Sequence, residues 1–312
     1  MKGRGLSPPA HYAMASANGE GINPSPCTLL CDLASILRTK TLMPKSIDKF
    51  KQTIYQYYAD HRREMPWRVS RDPYHILVSE IMLQQTQVGR VLTKYEQFIL
   101  TFPDFDSVNK APLQEILKVW QGLGYNRRAI ALHKICRLVV TEYCGVLPNS
   151  VETLQRFPGI GPATAGAICA FAFNQPTVFI ETNIRRVFIH FFFPNKNGVK
   201  DKEILPLVEG TLDTRSPRTW YHALMDYGAM LKNEEHNPNR RSAHYNRQAP
   251  FQGSNREIRG LILKTLLERP DLTEVELIRS VGKSPERVRP IITQLKKEGF
   301  IVEAGNRLKI SP

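Results

Sequence analysis

The sequence predicts a mostly α-helical fold: a large helical body, a basic connecting segment, and a small C-terminal domain closed by a β-hairpin. Two observations predict it. Apolar residues recur at helical spacing through the body and again between residues 257 and 298. In the tail, Phe300-Ile301-Val302 and Arg307-Leu308-Lys309-Ile310 read instead as two strands around Glu303-Ala304-Gly305-Asn306. At 312 residues the chain has room for one large domain or two ordinary ones.

Residues 1–44 are rich in Gly, Pro, Ser and Ala and are expected to be poorly ordered, apart from an apolar patch at 28–37. Met43 stands directly before the first strong helical pattern. Translation is therefore expected to begin near it, which N-terminal sequencing of the native protein tests. Ser46 is placed as an N-cap and Asp48 in the acidic first turn of a helix carrying Phe50, Ile54, Tyr57 and Tyr58. Asp72 or Pro73 opens the next helix, which carries Ile76, Leu77, Ile81 and Met82 and ends in Gln84-Gln85-Thr86-Gln87. A third carries Val88, Val91, Leu92, Tyr95 and Phe98. Asp106, Ser107 or Asn109 is expected to cap short helices before Trp120.

Gly122-Leu123-Gly124-Tyr125-Asn126 is a glycine-punctuated turn, followed by a long amphipathic helix over residues 127–143 that Gly145 stops. Asn149 or Ser150 caps the helix leading into residues 154–187, and further helices run on to Leu231. The body thus spans residues 45–231. Residues 232–255 lose apolar periodicity and read as a basic linker or loop. Residues 256–312 give helix, helix, turn, helix and hairpin, which is the winged-helix order.

The formal net charge of +14 points to a polyanionic partner, nucleic acid before membrane. No run is long enough for a membrane-spanning helix, and the first residues lack the ordered regions of a signal peptide. Cys27, Cys31, Cys136, Cys144 and Cys169 are too scattered for a disulfide framework, which fits a reducing cytoplasm. His190, His222 and His236 show no metal-ligand spacing. Phe171, Phe173, Phe188, Phe191, Phe192 and Phe193, with Trp120 and Trp220, read as core.

Three places carry candidate chemistry. Pro158-Gly159-Ile160-Gly161-Pro162 must reverse the chain sharply and ends at a helix start, whose free N–H groups and dipole favour a phosphate oxygen. The same turn would also serve as an ordinary helix–helix corner. Glu181 stands between Val178-Phe179-Ile180 and Thr182-Asn183-Ile184-Arg185-Arg186. A carboxylate there either caps a helix or stabilises positive charge on a sugar whose N-glycosidic bond is breaking. Glu80, flanked by apolar residues, either is a partnered structural carboxylate or has its pKa raised into the range of a general acid.

Met65-Pro66-Trp67-Arg68, Arg71-Asp72-Pro73-Tyr74, the run SEIMLQQTQV from Ser79 to Val88, Gly122-Leu123-Gly124-Tyr125 and the glycine hairpin occur in one order. This order resembles the helix-hairpin-helix DNA glycosylase superfamily, most closely its MutY-type adenine glycosylases, over residues 46–231. The resemblance implies a two-lobed helical body with the active site in the cleft between the lobes. It implies Glu80 as the acid that protonates adenine and Glu181 in the slot of the catalytic aspartate. Gln85 matches a residue that wedges into the duplex, Tyr125 one that inserts near the opposite base, and Asn183 an asparagine beside the catalytic carboxylate. Trp67 and Arg68 match the pocket wall. Gln84, Arg68 and the hairpin residues Pro158, Gly159, Ile160, Gly161, Ala163 and Thr164 are implied to join the DNA contact. The implied partner is double-stranded DNA with a mismatched or damaged base, met by a monomer in the cytoplasm, at the nucleoid in a bacterium.

The chain departs from that pattern in ways that shape the expectation. Glu181 is one methylene longer than aspartate, moving the charge by about 1 Å. The iron–sulfur cluster of the family needs four cysteines after residue 230, and none occurs after Cys169, so no cofactor and no metal are expected. Arg240, Arg241, His244 and Arg247 are expected either to take over its DNA contact or to form a solvated linker. Ala163 stands where lyase-type members carry lysine, so a monofunctional enzyme is expected. The C-terminal domain has the wrong pattern for an 8-oxoguanine reader. The leading expectation is removal of adenine mispaired with guanine or 8-oxoguanine. Removal of thymine or uracil from mismatches is the first alternative, and a DNA-binding protein without catalysis the second.

Overall fold

The structure is a computed structural model that describes residues 44–232, 237–246 and 250–312. Two compact units are distinguished, Met1–Lys49 and Phe50–Pro312. Of the first, only the opening turns of α1 (Pro44–His61) are described; the second holds the rest of α1 and every other described element. The patch at 28–37, Cys27 and Cys31 lie outside the described residues. Helix α1 opens at Pro44, ahead of Ser46, the expected cap. Proline suits a first helical turn because its missing N–H would have had no partner there.

Helix α2 (Pro66–Val69) is a single turn before α3 (Pro73–Leu83). Asp72 caps α3, accepting from the Tyr74 N–H at 2.8 Å, with Pro73 as first helical residue. The chain continues through α4 (Val88–Thr101), α5 (Phe105–Lys110), α6 (Leu113–Trp120) and α7 (Arg127–Glu142). The cap of α5 is Asp104 rather than Asp106, Ser107 or Asn109. Its carboxylate accepts from the Ser107 N–H at 2.8 Å, and Ser107 Oγ accepts from the Asp104 N–H at 3.1 Å. This reciprocal pair satisfies two N–H groups that the helix itself leaves open. Ser150 caps α8 (Val151–Leu154), and α9 (Pro162–Phe173), α10 (Thr182–Phe192), α11 (Asp201–Thr211) and α12 (Pro217–Leu231) complete the body.

The body has two cores, as two lobes require. One gathers Trp67, Leu77, Phe98, Trp120, Leu132 and Ile168; the other gathers Phe50, Ile54, Val187, Phe188, Trp220 and Leu224. Helices α3 and α9 serve both. Leu77 and Ile168 face the first core, while Ile76, Ala167 and Phe171 face the second. A helix buried on opposite sides is apolar all round, which accounts for the composition of α9. The Phe50 ring lies 5.5, 5.0 and 5.1 Å from those of Phe188, Phe191 and Phe192, so this aromatic cluster is core.

The C-terminal domain comprises α13 (Asn255–Glu268), α14 (Glu274–Val281), α15 (Pro285–Lys297), β1 (Ile301–Ala304) and β2 (Arg307–Ile310). The strands are antiparallel, pairing Ile301 with Ile310 and Ala304 with Arg307, and Gly305 turns the hairpin at φ +63°. Its core of Ile258, Leu263, Leu277, Ile292 and Phe300 is continuous with that of the first lobe.

Residues 232–255 are more than a linker. Pro238–Arg241 is a 3-10 turn, and the Val199 N–H donates to Arg241 O while the Ala243 N–H donates to Val199 O, both at 2.9 Å. The Arg241 guanidinium donates to the carbonyls of Phe193 and Pro194 at the end of α10, where a cation meets the negative end of the helix. Arg241, expected either among DNA contacts or in a solvated linker, therefore serves the protein's own backbone. Arg240 and His244 are exposed; Arg247 and His236 lie outside the described residues. No helix of the described residues is long and apolar enough to cross a membrane.

Candidate active site

Glu80 and Glu181 come together at the seam between the lobes. Glu80 sits near the C-terminal end of α3, half-buried, with Val78, Ser79, Ile81 and Met82 all buried beside it. Burial pushes its carboxyl up to about 8; the negative charge of Glu181 adds to that rise, and Arg68 opposes it. A carboxyl in this state holds its proton at neutral pH and can donate it.

Glu181 is the N-cap of α10. Its Oε1 accepts from the Asn183 and Ile184 N–H groups at 2.7 and 2.9 Å, and its Oε2 from Asn183 Nδ2 at 3.2 Å. The two sequence readings of this residue are thus compatible: the carboxylate caps the helix and lies beside Glu80. The cap also absorbs the extra methylene by fixing the longer side chain at both oxygens. Burial raises the Glu181 pKa, while the two backbone N–H groups, Arg186 and Arg185 pull against it.

A shell of polar contacts holds α10 in place. Buried Arg186 donates to Asn183 Oδ1 at 2.8 Å, to Asn237 Oδ1 at 3.0 Å and to Gly228 O. Asn239 Nδ2 donates to Thr182 O at 2.9 Å. Residues 237–239 thus anchor the start of the helix that carries the carboxylate. Gly228, on α12, is packed so closely that a Cβ would fall 2.4 Å from Asn183 O. Gly228→Ala is therefore expected to push the Glu181 cap aside. It should destabilise the fold by about 1–3 kcal/mol and lower the single-turnover rate at least tenfold. Urea unfolding and single-turnover kinetics check this; unchanged kinetics would show that the cap tolerates the shift.

The hairpin meets the residue that follows α3. Gly159 takes φ +77°, and no side chain caps α9 at Gly161. Pro162, the first helical residue, has no N–H, so the N–H groups of Ala163 and Thr164 open the helix. Such an end can accept a phosphate. Ile160 is buried and anchors the loop, while Pro158, Gly159, Gly161, Ala163 and Thr164 reach the surface in part or fully. Gln84 Nε2 donates to Gly159 O at 3.1 Å and to Thr164 Oγ1 at 3.3 Å, tying the end of α3 to the hairpin.

Gln85 and Tyr125 hold left-handed backbone at φ +55° and +47°. Few side chains take that conformation without support. The support is Arg128, which sequence reasoning passed over. It is 7% exposed and donates to the carbonyls of Ile81, Met82 and Gln84 at 3.1, 2.6 and 2.6 Å. It also donates to Leu123 O and Gly124 O at 3.3 and 3.0 Å. One guanidinium thus joins both loops to the end of α3.

Arg68, expected at the pocket wall and in the DNA contact, is buried. Its side chain is 8% exposed, and its two terminal nitrogens bind the two Asp226 oxygens at 2.8 Å each. Burial by itself would raise the Asp226 pKa, but Arg68 and Arg63 hold it below the usual carboxylate range. Arg68 is therefore a buried partner of Asp226 that acts on Glu80. Trp67 is buried against Tyr95, their ring centroids 5.2 Å apart.

The model of the HhH-GPD superfamily base excision DNA repair proteins matches residues 78–207, and that of a winged helix-turn-helix DNA-binding family matches residues 255–302. A thymine/uracil-DNA glycosylase of Methanothermobacter thermautotrophicus is 32% identical over 186 residues, covering 58% of this chain and 84% of that protein. The chain belongs to the HhH-GPD superfamily. An adenine DNA glycosylase of Buchnera aphidicola subsp. Baizongia pistaciae is 38% identical over 187 residues, covering 58% of this chain and 52% of that protein. The chain thus spans about half the length of that relative. The solved structure of a thermostable thymine-DNA glycosylase superposes with TM-score 0.57 at 30% identity, covering 62% of this chain and 91% of that one.

Among the described residues the cysteines of this HhH-GPD chain are not gathered as a donor set for an iron–sulfur cluster. Cys136 and Cys169 are buried in the first core and Cys144 is exposed elsewhere, while Asn237, Asn239 and Arg241 bind backbone and side chains after α12. Among the described residues no group of three or more His, Cys, Asp or Glu side chains is placed to hold a metal. His222 is buried and stacked on Phe171 at 4.8 Å, and burial first, then Arg68 and Arg218, pull its pKa down to about 3.

Proposed function

We propose that the protein is a monofunctional DNA N-glycosylase that removes adenine opposite guanine or 8-oxoguanine, acting as a monomer without a cofactor, in the cytoplasm or on the nucleoid. The observation that carries this reading is the Glu80 carboxyl, pushed up to about 8 beside Glu181, the carboxylate that caps α10. Two neighbouring carboxyl groups in unlike environments divide acid and electrostatic roles. Glu80 gives its proton to a ring nitrogen of the flipped adenine. The bond from C1′ to the base breaks with its electron pair leaving on the base. Glu181 stabilises the positive charge that develops on the sugar, and water adds to C1′, losing a proton. Adenine has basic ring nitrogens that can receive a proton, whereas thymine and uracil present carbonyl oxygens and an N–H, and this difference favours adenine. Ala163 offers no amine for a Schiff base, so the product is an intact strand with an abasic site.

One observation favours thymine or uracil as the alternative: the chain covers 84% of a thymine/uracil-DNA glycosylase but 52% of an adenine one. Single-turnover assays on duplexes with A opposite 8-oxoguanine, A opposite G, T opposite G and U opposite G separate the readings. Cleavage is expected on the adenine duplexes, with strand breakage only after alkali. Cleavage of T or U alone overturns the adenine reading. Tight binding of all four without cleavage overturns the enzyme.

A further inference from the structure

Glu298 stands at the C-terminal end of α15, where a carboxylate opposes the negative end of the helix dipole. Its place therefore follows from its partners and not from its own helix. One oxygen accepts from Arg127, the first residue of α7, and the other from Arg259 of α13. The Glu298 side chain is 18% exposed. Burial alone would raise its pKa, but Arg127 and Arg259 hold it below the usual carboxylate range. The ion pairs Lys283–Glu257, Arg289–Glu274 and Lys296–Glu303 stay inside the winged-helix domain, whereas Glu298 reaches across to the body.

Both arginines lead to one side chain. Arg256 precedes Arg259 by three residues on α13, so the two project from one side of that helix. Arg256 Nη1 donates to the Tyr125 hydroxyl at 2.8 Å, and its guanidinium lies 5.6 Å from the centre of the Tyr125 ring. On the body, Arg127 directly precedes Arg128, whose guanidinium lies 5.4 Å from the centre of the same ring. The Tyr125 ring thus meets a cation from each domain, and its backbone is held at φ +47°. Arg259 packs over Phe300 at 4.9 Å, within the core that the domain shares with the first lobe.

A non-glycine residue in left-handed backbone, on a turn with two glycines, has other conformations within reach. Fixing it before DNA arrives removes that ordering cost from binding. The separation of α13 from the start of α7 sets where the two guanidinium groups meet Tyr125. Glu298 is a charge that spans this separation.

We propose that Glu298 is a positioning residue: it holds α13 against the start of α7 and so presets Tyr125, the residue expected to insert into the duplex. The winged-helix domain then acts on the DNA-binding site by pre-organising a side chain of the body. This inference rests on the glycosylase reading for the insertion of Tyr125.

Charge alone and positioning predict opposite signs for a Glu298 variant. Removing one negative charge and releasing two arginines would tighten duplex binding. Loss of a preset Tyr125 would weaken it. The test uses the full chain with 3-fluorotyrosine at position 125 and a duplex carrying a 2′-fluoro target nucleotide that cannot be excised. Without DNA, the wild type is expected to give one sharp fluorine resonance. Glu298→Gln is expected to shift or broaden it, and so is Arg127→Gln, at a side chain 64% exposed. Each should weaken binding of the target duplex about tenfold, and the double variant little further. Glu298→Asp keeps the charge and should recover part of the affinity. On cleavable duplexes the half-saturating protein concentration should rise about tenfold, with the rate at saturation much less affected. A wild-type resonance in Arg127→Gln or in folded Glu298→Gln, or tighter binding of the target duplex by either, overturns the proposal. Absence of cleavage by wild type, with the resonance still dependent on Glu298, counts against the glycosylase reading and supports the positioning.

Discussion

Glu80→Gln is expected to slow single-turnover excision by about 10²–10⁴-fold while making the protein more stable above neutral pH. The rate loss follows from removing the proton donor while keeping its shape. The gain in stability follows from the direction of the pKa shift. The folded value of about 8 lies above the ordinary 4.5. Below pH 4.5 Glu80 is protonated in both states and contributes no pH dependence. As pH rises further the unfolded chain releases the proton and the folded chain keeps it, so stability falls until the folded group also ionises near 8. Glutamine has no such proton. The variant should therefore exceed the wild type by about 3 kcal/mol at pH 7, with little difference at pH 4. Melting curves at pH 4, 7 and 9 measure this gap. In the wild type, the excision rate should fall about tenfold per pH unit above 8. Retained turnover in the variant, or a Tm gain equal at all three pH values, contradicts Glu80 as the buried acid.

Arg128→Met is expected to be the most destabilising substitution near the site, by about 3–5 kcal/mol, because it leaves several buried carbonyls without a donor. The loss should extend to DNA binding. Arg128 joins the end of α3 to the turn before α7, and it supports the left-handed residues Gln85 and Tyr125. Burial lowers its pKa to about 10, against the influence of Tyr125, so it remains charged at neutral pH. Arg128→Lys should recover little, since a lysine has three donors on one centre and cannot span two loops. Urea unfolding and duplex affinity at fixed salt check both effects. A variant with wild-type stability and altered affinity would make Arg128 a direct DNA contact instead.

The hairpin and both carboxyl groups were legible because local pattern specifies them. Two glycines between prolines require a sharp turn at Gly159 and Gly161, and the apolar neighbours of Glu80 bury it on any helix they form. Asp72-Pro73 opens α3 for the same local reason. Arg68 was read as a DNA contact because its partner, Asp226, is remote in the chain and becomes visible only when α12 packs beside α2. Residues 237–242 read as a linker because their ties to α10 and Val199 are tertiary. Gly228 carries no local signal of the backbone oxygen pressed against it.

By itself the sequence determined the helical fold, the hairpin, the positions of Glu80 and Glu181, and the winged-helix order of the tail. These rest on periodicity, turn chemistry and short-range burial. Tertiary structure alone decided which cations remain open to a nucleic acid. Arg127 and Arg128 are adjacent and chemically identical, yet the Arg127 side chain is 64% exposed and Arg128 is 7% exposed. Successive helical side chains point about 100° apart, so one step carries the charge from solvent into the loops that flank the site.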